Sequence, residues 1–121
     1  MSAGKYYLLI EQGATLNLEL KYLDSSNTPI NLTGYSGKMQ IQDNYADNAT
    51  TTYLTLSSSL QPDGTGLVLG GVSGTINIVI SAATSSALTF SSGSYDLELT
   101  SGSVVTRLLQ GTAFVNKEVT R

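Results

Sequence analysis

The stretch SYDLELTSGSVVTRLLQ, residues 94–110, decides how this sequence folds. On either side of Ser101-Gly102 the residues alternate between apolar and polar, the period of a strand whose two faces meet different surroundings. A short turn containing glycine supplies the positive φ that a tight hairpin needs. With Ser101 and Gly102 as a two-residue loop, Leu99 lies opposite Val104, Leu97 opposite Thr106 and Tyr95 opposite Leu108 on the core side. On the other side Asp96 then lies directly opposite Arg107, with Glu98 diagonal to it, so register and charge agree. Such a cross-strand pair contributes about 0.2–1 kcal/mol, less when exposed, and selects a register more than it holds a fold. A slip of one residue would send Asp96 and Glu98 into the core at far greater cost. Past Leu108 and Leu109 two phases are open. A one-residue bulge near Gln110-Gly111, the preferred reading, turns Gly111, Ala113 and Val115 inward; without it Thr112 and Phe114 point inward instead.

Upstream the same period of two recurs. In residues 14–23 Leu16, Leu18, Leu20 and Tyr22 share one face and Asn17, Glu19 and Lys21 the other. Residues 37–42 place Met39 and Ile41 inward, and 75–81 place Ile76, Ile78 and Ile80 on one face; 52–56 and 66–69 are further short strand runs. Asp24–Pro29, Asp63-Gly64 and Gly70-Gly71 are turn chemistry between them. The one helical stretch is 81–88, with Ser81 as N-cap, two turns at most and held in place by Leu88 and Phe90. Seven to eight short strands with almost no helix predict an all-β fold: an antiparallel, immunoglobulin-like β-sandwich with one short helical crossover near 81–88, spanning 1–121 as a single domain.

At 121 residues the chain is long enough for one core. It has no His, Cys or Trp, and only 12% charged residues. That composition excludes imidazole and thiolate chemistry, a Ser-His-Asp triad, and haem, iron–sulfur or His/Cys zinc ligation from this chain alone, so no catalytic residue and no cofactor is expected. A net charge of −3 with six scattered basic residues argues against nucleic-acid binding. The apolar run Tyr6–Ile10 is too short for a signal segment or a membrane span, so a soluble protein made in the cytoplasm is expected.

Ser and Thr make up about a quarter of the chain, an uncharged hydroxyl-bearing surface that desolvates more cheaply than Lys or Glu. Within it several residues are candidates for contact. KYYLLI, 5–10, carries Tyr6, Tyr7 and Leu9 and is read either as the first strand of the domain's own sheet or as an edge that pairs with a neighbour by strand addition. Tyr45 and Tyr53 flank a loop and offer rigid amphipathic faces to a protein partner or, less readily, a glycan. The same loop holds Asp43, Asn44, Asp47 and Asn48, oxygen donors for a hard cation, but without EF-hand spacing a solvated loop is the expectation, and no metal site is assigned. Asp96 and Glu98, about 7 Å apart along one strand face, match the spacing of an inverting glycosidase pair, but pairing with Arg107 is the simpler reading. Asn31-Leu32-Thr33 and Asn48-Ala49-Thr50 are formal glycosylation sequons.

Four segments resemble a known group. IEQG (10–13), PINLTGYSGKMQIQ (29–42), SGTINIVISAATSSAL (73–88) and YDLELTSGSVVTRLLQGTAFVNKEVTR (95–121) are similar to small structural proteins of tailed bacteriophages related to the immunoglobulin-like N-terminal domain of baseplate upper proteins. The resemblance implies a non-enzymatic virion protein of the tail, neck or baseplate, acting as a fibre adaptor or attachment module. It implies contact with other virion proteins in a symmetric homo-oligomer, and a place in the virion after synthesis in the host cytoplasm. Capsid decoration on the head, or host glycan binding, are the alternatives.

Overall fold

The computed structural model describes residues 4–5, 7–43 and 51–117. In chain order its strands are β1 (Gly4–Lys5), β2 (Leu8–Glu11), β3 (Leu16–Lys21), β4 (Ser36–Gln42), β5 (Thr52–Ser57), β6 (Gly66–Leu69), β7 (Thr75–Ile80), β8 (Ser92–Ser101) and β9 (Val104–Asn116). A short α-helix, α1 (Ala82–Ser86), joins β7 to β8. Six strands form one sheet in the order β1-β9-β8-β4-β5, with β2 also alongside β9; the other three form a second sheet, β3-β7-β6.

The fold is all-β, as the alternation requires. Met39 and Ile41, Ile76, Ile78 and Ile80, and Tyr95, Leu97 and Leu99 are the inward residues of three strands, and all are buried. Together with Leu8, Ile10, Leu56 and Leu67 they form one cluster drawn from both sheets, against which Leu16, Leu18 and Leu20 of β3 lie half-buried. Each such aliphatic side chain contributes about 1.5–3 kcal/mol when fully withdrawn from water, so the period-two pattern is the main source of stability. Crossing between the sheets, α1 is shorter than the expected 81–88. Ser81 is its N-cap, accepting a hydrogen bond from the Thr84 amide at 3.1 Å, and Leu88 and Phe90 are buried just beyond it.

Three expectations need correction. The six-stranded sheet is mixed, because β1 and β2 run parallel to β9. A period of two says which face a side chain takes but nothing about strand direction. Here the chain leaves β2 for the second sheet and returns to this one later, so no hairpin forces β2 to be antiparallel to β9.

The hairpin turn lies one residue further on than expected. Ser101 pairs with Val104, so Gly102 and Ser103 are the central residues. Gly102 has φ 60° and sits first, the position at which a type II′ turn needs positive φ. Glu98, not Asp96, therefore lies opposite Arg107, and Leu99 lies opposite Thr106. This register differs from the expected one by two residues along the partner strand, which leaves every side chain on its own face. Hydrophobic patterning cannot distinguish the two; the glycine's place in the turn does.

The bulge in β9 also lies earlier. Glu98 pairs with Arg107 and Leu97 with Leu109, so Leu108 is the extra residue. The phase change it produces turns Ala113 and Val115 into the core, the inward set the bulged reading anticipates. A second bulge occurs in β5, where Ile41 pairs with Leu54 and Gln42 with Thr52, leaving Tyr53 as the inserted residue.

Candidate functional site

The edge of the larger sheet beside β9 carries a cluster of exposed large apolar side chains. Along β2 Leu8 and Ile10 are buried, whereas Leu9 is 53% exposed and Tyr7, just before the strand, 75%. Phe114, opposite Leu9 on β9, is 43% exposed, and its ring centroid lies 6.1 Å from that of Tyr7 at a tilt of 54°. Tyr7, Leu9 and Phe114 thus form a small apolar row on the outer side. The outward positions of β4 and β8 are different in kind: Lys38 and Gln40 on one, Ser94, Asp96, Glu98 and Thr100 on the other.

Polar contacts hold this edge in place. The Gln12 amide donates to the Asn116 carbonyl at 3.0 Å, extending the β2–β9 ladder, and Asn116 Nδ2 donates to Glu11 Oε2 at 2.9 Å. Gln12 Nε2 donates to the Leu88 carbonyl at 2.7 Å, fastening the turn to the segment after α1. Ser85, fully buried in α1, accepts from the Gly13 amide at 3.0 Å and donates to the Ala14 carbonyl at 2.8 Å. The Ser85 hydroxyl is thus a second anchor, beside the Gln12 side chain, for the turn that follows β2. Sequence reading missed Ser85, since a serine inside a polar-looking helix gives no sign that it is buried.

At its start α1 is tied to the β5–β6 connection. Asp63 Oδ2 accepts from Ser81 Oγ at 2.6 Å and Thr84 Oγ1 at 2.7 Å, and Asp63 Oδ1 accepts from the Thr65 amide at 2.9 Å. The Ser81 hydroxyl first, then the Thr65 amide and the Thr84 hydroxyl, hold the Asp63 carboxyl well below the usual carboxylate range. Buried Thr65 completes the knot by accepting from the Ser81 amide at 3.0 Å.

The remaining sequence candidates are dispersed. Arg107 spans both carboxylates of the outer face, with Nε 3.4 Å from Asp96 Oδ2 and Nη2 3.7 Å from Glu98 Oε2. Tyr53, turned by its bulge, stacks on Phe90 with centroids 4.3 Å apart and planes within 5°, so one face of its ring is already covered. Tyr6, Tyr45 and the loop residues Asn44, Asp47 and Asn48 lie outside the described residues. At the base of that loop the Asp43 amide donates to the Thr51 carbonyl at 3.0 Å, and Asp43 Oδ1 accepts from the Thr51 amide at 3.1 Å. In the first sequon Asn31 Oδ1 accepts from the Thr33 amide at 3.0 Å, closing a local turn. Among the described residues no group of three or more acidic, His or Cys side chains could hold a metal ion, and no helix is long and apolar enough to cross a membrane.

No family model matches the chain, and no curated protein matches it.

Proposed function

We propose that this chain is a non-enzymatic structural module of a tailed-bacteriophage virion, placed in the tail, neck or baseplate and acting by burial of its surface against neighbouring virion proteins. The observation that carries the proposal is the edge of the larger sheet. An edge strand with free backbone groups is a template for another strand, and monomeric proteins blunt such edges with proline, bulges or inward charges. β2 has none of these, and Tyr7, Leu9 and Phe114 add apolar side chains beside it. Directly beside this row the outward positions Thr112 and Gln110 of β9 and Ser92 and Ser94 of β8 are uncharged, and such groups desolvate more cheaply than the charged Lys38, Asp96 and Glu98 further along the sheet.

The scaffold we assign to this module is an immunoglobulin-like sandwich. The sheet β3-β7-β6 has the order of strands B, E and D of that fold, and β9-β8-β4-β5 the order of G, F, C and C′. β2 then takes the place of a first strand that has crossed to the G edge. The sequence resemblance to phage baseplate-type domains agrees with this order.

Gold-labelled antibody against the chain, applied to purified phage particles from the host that carries the gene, tests the reading. Label at the tail, neck or baseplate is expected. Label confined to the head would replace the reading with capsid decoration, and unlabelled particles, confirmed by mass spectrometry, would refute it.

A further inference from the structure

The smaller sheet ends on β3, and we propose that this edge binds the β3 edge of a second copy of the chain, antiparallel about a two-fold axis at Leu20. The inference concerns the other sheet from the β2 edge and does not depend on the assignment to a virion.

Backbone geometry supplies the first part. One step beyond the Lys21–Thr75 pair of the β3–β7 ladder, the Tyr22 amide donates to the Gly74 carbonyl at 2.8 Å. Hydrogen-bonded pairs alternate in an antiparallel ladder, so Leu16, Leu18 and Leu20 exchange bonds with β7, and the backbone groups of Asn17, Glu19 and Lys21 point away from it. Past the strand the Tyr22 carbonyl accepts from the Ile30 amide and the Asp24 amide donates to the Thr28 carbonyl, which continues the alternation and leaves Leu23 outward. Among the described residues no strand pairs with the outer side of β3.

Side-chain burial points the same way. Leu16, Leu18 and Leu20 lie opposite Ile80, Ile78 and Ile76 on one face of the sheet. The three isoleucines are at most 1% exposed, whereas the three leucines and Tyr22 are only half-buried. The apolar face of the sheet is thus uncovered along its β3 flank, where a further strand would close it.

Charge selects the partner and the register. Glu19 and Lys21 are exposed, and no ion pair among the described residues uses either. Charged side chains guard an edge against a strand that cannot match them. A second copy matches them. Outward backbone groups sit at odd positions, so a two-fold antiparallel pairing sets odd residues opposite odd residues. Centred on Leu18, the pairing puts Glu19 opposite Asn17 and Lys21 opposite Thr15. Centred on Glu19 or on Lys21, it sets two like charges face to face. Centred on Leu20, it places Glu19 of each copy opposite Lys21 of the other, with Leu20 against its twin and Leu18 against Tyr22 on the apolar face; Asn17 and Leu23 meet at the ends. Of these registers only the last joins opposite charges on one face and apolar side chains on the other, the arrangement that stabilises cross-strand pairs. The two three-stranded sheets then become one of six. An isologous contact of this kind closes on itself, and a single strand pair is a small interface, so the dimer is weak and concentration-dependent.

Sedimentation velocity of the full chain over a concentration series tests the pairing. A monomer–dimer equilibrium is expected. Glu19→Lys and Lys21→Glu should each weaken it about tenfold, and the double variant E19K/K21E should recover most of that loss, because the ion pairs return with their signs exchanged. Both positions are exposed, so the urea midpoints in dilute solution should match wild type. The chain has no cysteine, which permits a second readout. Leu20→Cys sits on the axis, about 4.5 Å from its twin between Cα atoms, and diamide should convert it to a disulfide-linked dimer. Leu18→Cys should stay uncrosslinked, because its twin lies four residues along the strand, about 13 Å away. The proposal is overturned by a chain that stays monomeric up to about 1 mM, by a double variant no tighter than the single ones, or by Leu18→Cys crosslinking as readily as Leu20→Cys. Labelled particles from a chain that is monomeric in solution would refute the two-fold pairing alone; a dimer with unlabelled particles would refute the virion reading alone.

Discussion

Ser85→Ala is the substitution that most sharply tests how the edge is held. The hydroxyl is fully buried and joins α1 to the turn after β2, accepting from the Gly13 amide and donating to the Ala14 carbonyl. Its removal deletes two long-range hydrogen bonds and leaves a partly buried amide without this partner. A net hydrogen bond contributes about 1 kcal/mol, and an orphaned buried donor costs about 1–3 kcal/mol; because the Gly13 amide is only partly buried, the loss lies at the lower end of the resulting range of about 2–4 kcal/mol. Alanine's better helix propensity returns about 0.5 kcal/mol. The expected net destabilisation is about 2 kcal/mol, a fall in Tm of roughly 8 °C for a domain of this size. Urea unfolding followed by far-UV circular dichroism reads it directly, with an unchanged m-value expected. Ser86→Ala is the control on the same helix: Ser86 is exposed, its hydroxyl donates only to the Ala83 carbonyl one turn back, and its loss should stay within about 0.5 kcal/mol. If the two variants unfold at the same midpoint, Ser85 does not anchor the turn and the account of how β2 is positioned fails.

Gly93→Ala should destabilise by about 1–3 kcal/mol, because an added Cβ would lie 2.7 Å from the Gln42 carbonyl oxygen and 3.2 Å from Ile41 Cγ2 and Tyr53 Cδ2; a wild-type urea midpoint would show that the β4–β8 approach is looser than this. Arg107→Ala should cost no more than about 0.5 kcal/mol, since its side chain is 53% exposed and both contacts are long; a loss several times larger in the same assay would give the ion pairs a role in stability that their geometry does not support. Asp63 has a folded-state pKa below that of the unfolded chain, so its stabilising contribution is complete above the unfolded value of about 3.9 and is lost as pH falls below it. The difference in urea midpoint between wild type and Asp63→Asn should therefore be constant from about pH 7 to pH 5 and shrink towards pH 2; a difference that grows on acidification would reverse the sign and refute the assignment.

Much of the fold is legible in the sequence because inward and outward residues alternate regularly along β3, β4, β7 and most of β8. Ile76, Ile78 and Ile80 could be placed by period alone, and so could Met39 and Ile41, since any other phase would bury Asn77 or Gln40. What alternation cannot carry is strand direction, which is why the parallel pairing of β2 with β9 was hidden, and turn position, since a two-residue change of register keeps Leu97 and Leu99 inward. The glycine at 102 holds that second piece of information, but only if its φ is assigned to the first turn position. Bulges leave a fainter trace: the doublets Tyr53-Leu54 and Leu108-Leu109 are adjacent large apolar residues where a strict strand would allow one. In the candidate site Tyr7 and Leu9 were visible as apolar residues in a terminal strand, but Phe114 joins them only through the β2–β9 register, and the support from Ser85 comes from a residue more than seventy positions away in sequence.

The edge reading meets its most direct test in amide hydrogen exchange at single-residue resolution, comparing dilute chain with chain assembled in the particle. Leu8 and Ile10, whose amides face β9, should be protected in both. The Tyr7 and Leu9 amides should exchange rapidly in the dilute chain and become protected on assembly. Equal and rapid exchange of Tyr7 and Leu9 in both states would contradict the account, because the edge would then remain open to water in the assembly it is proposed to build.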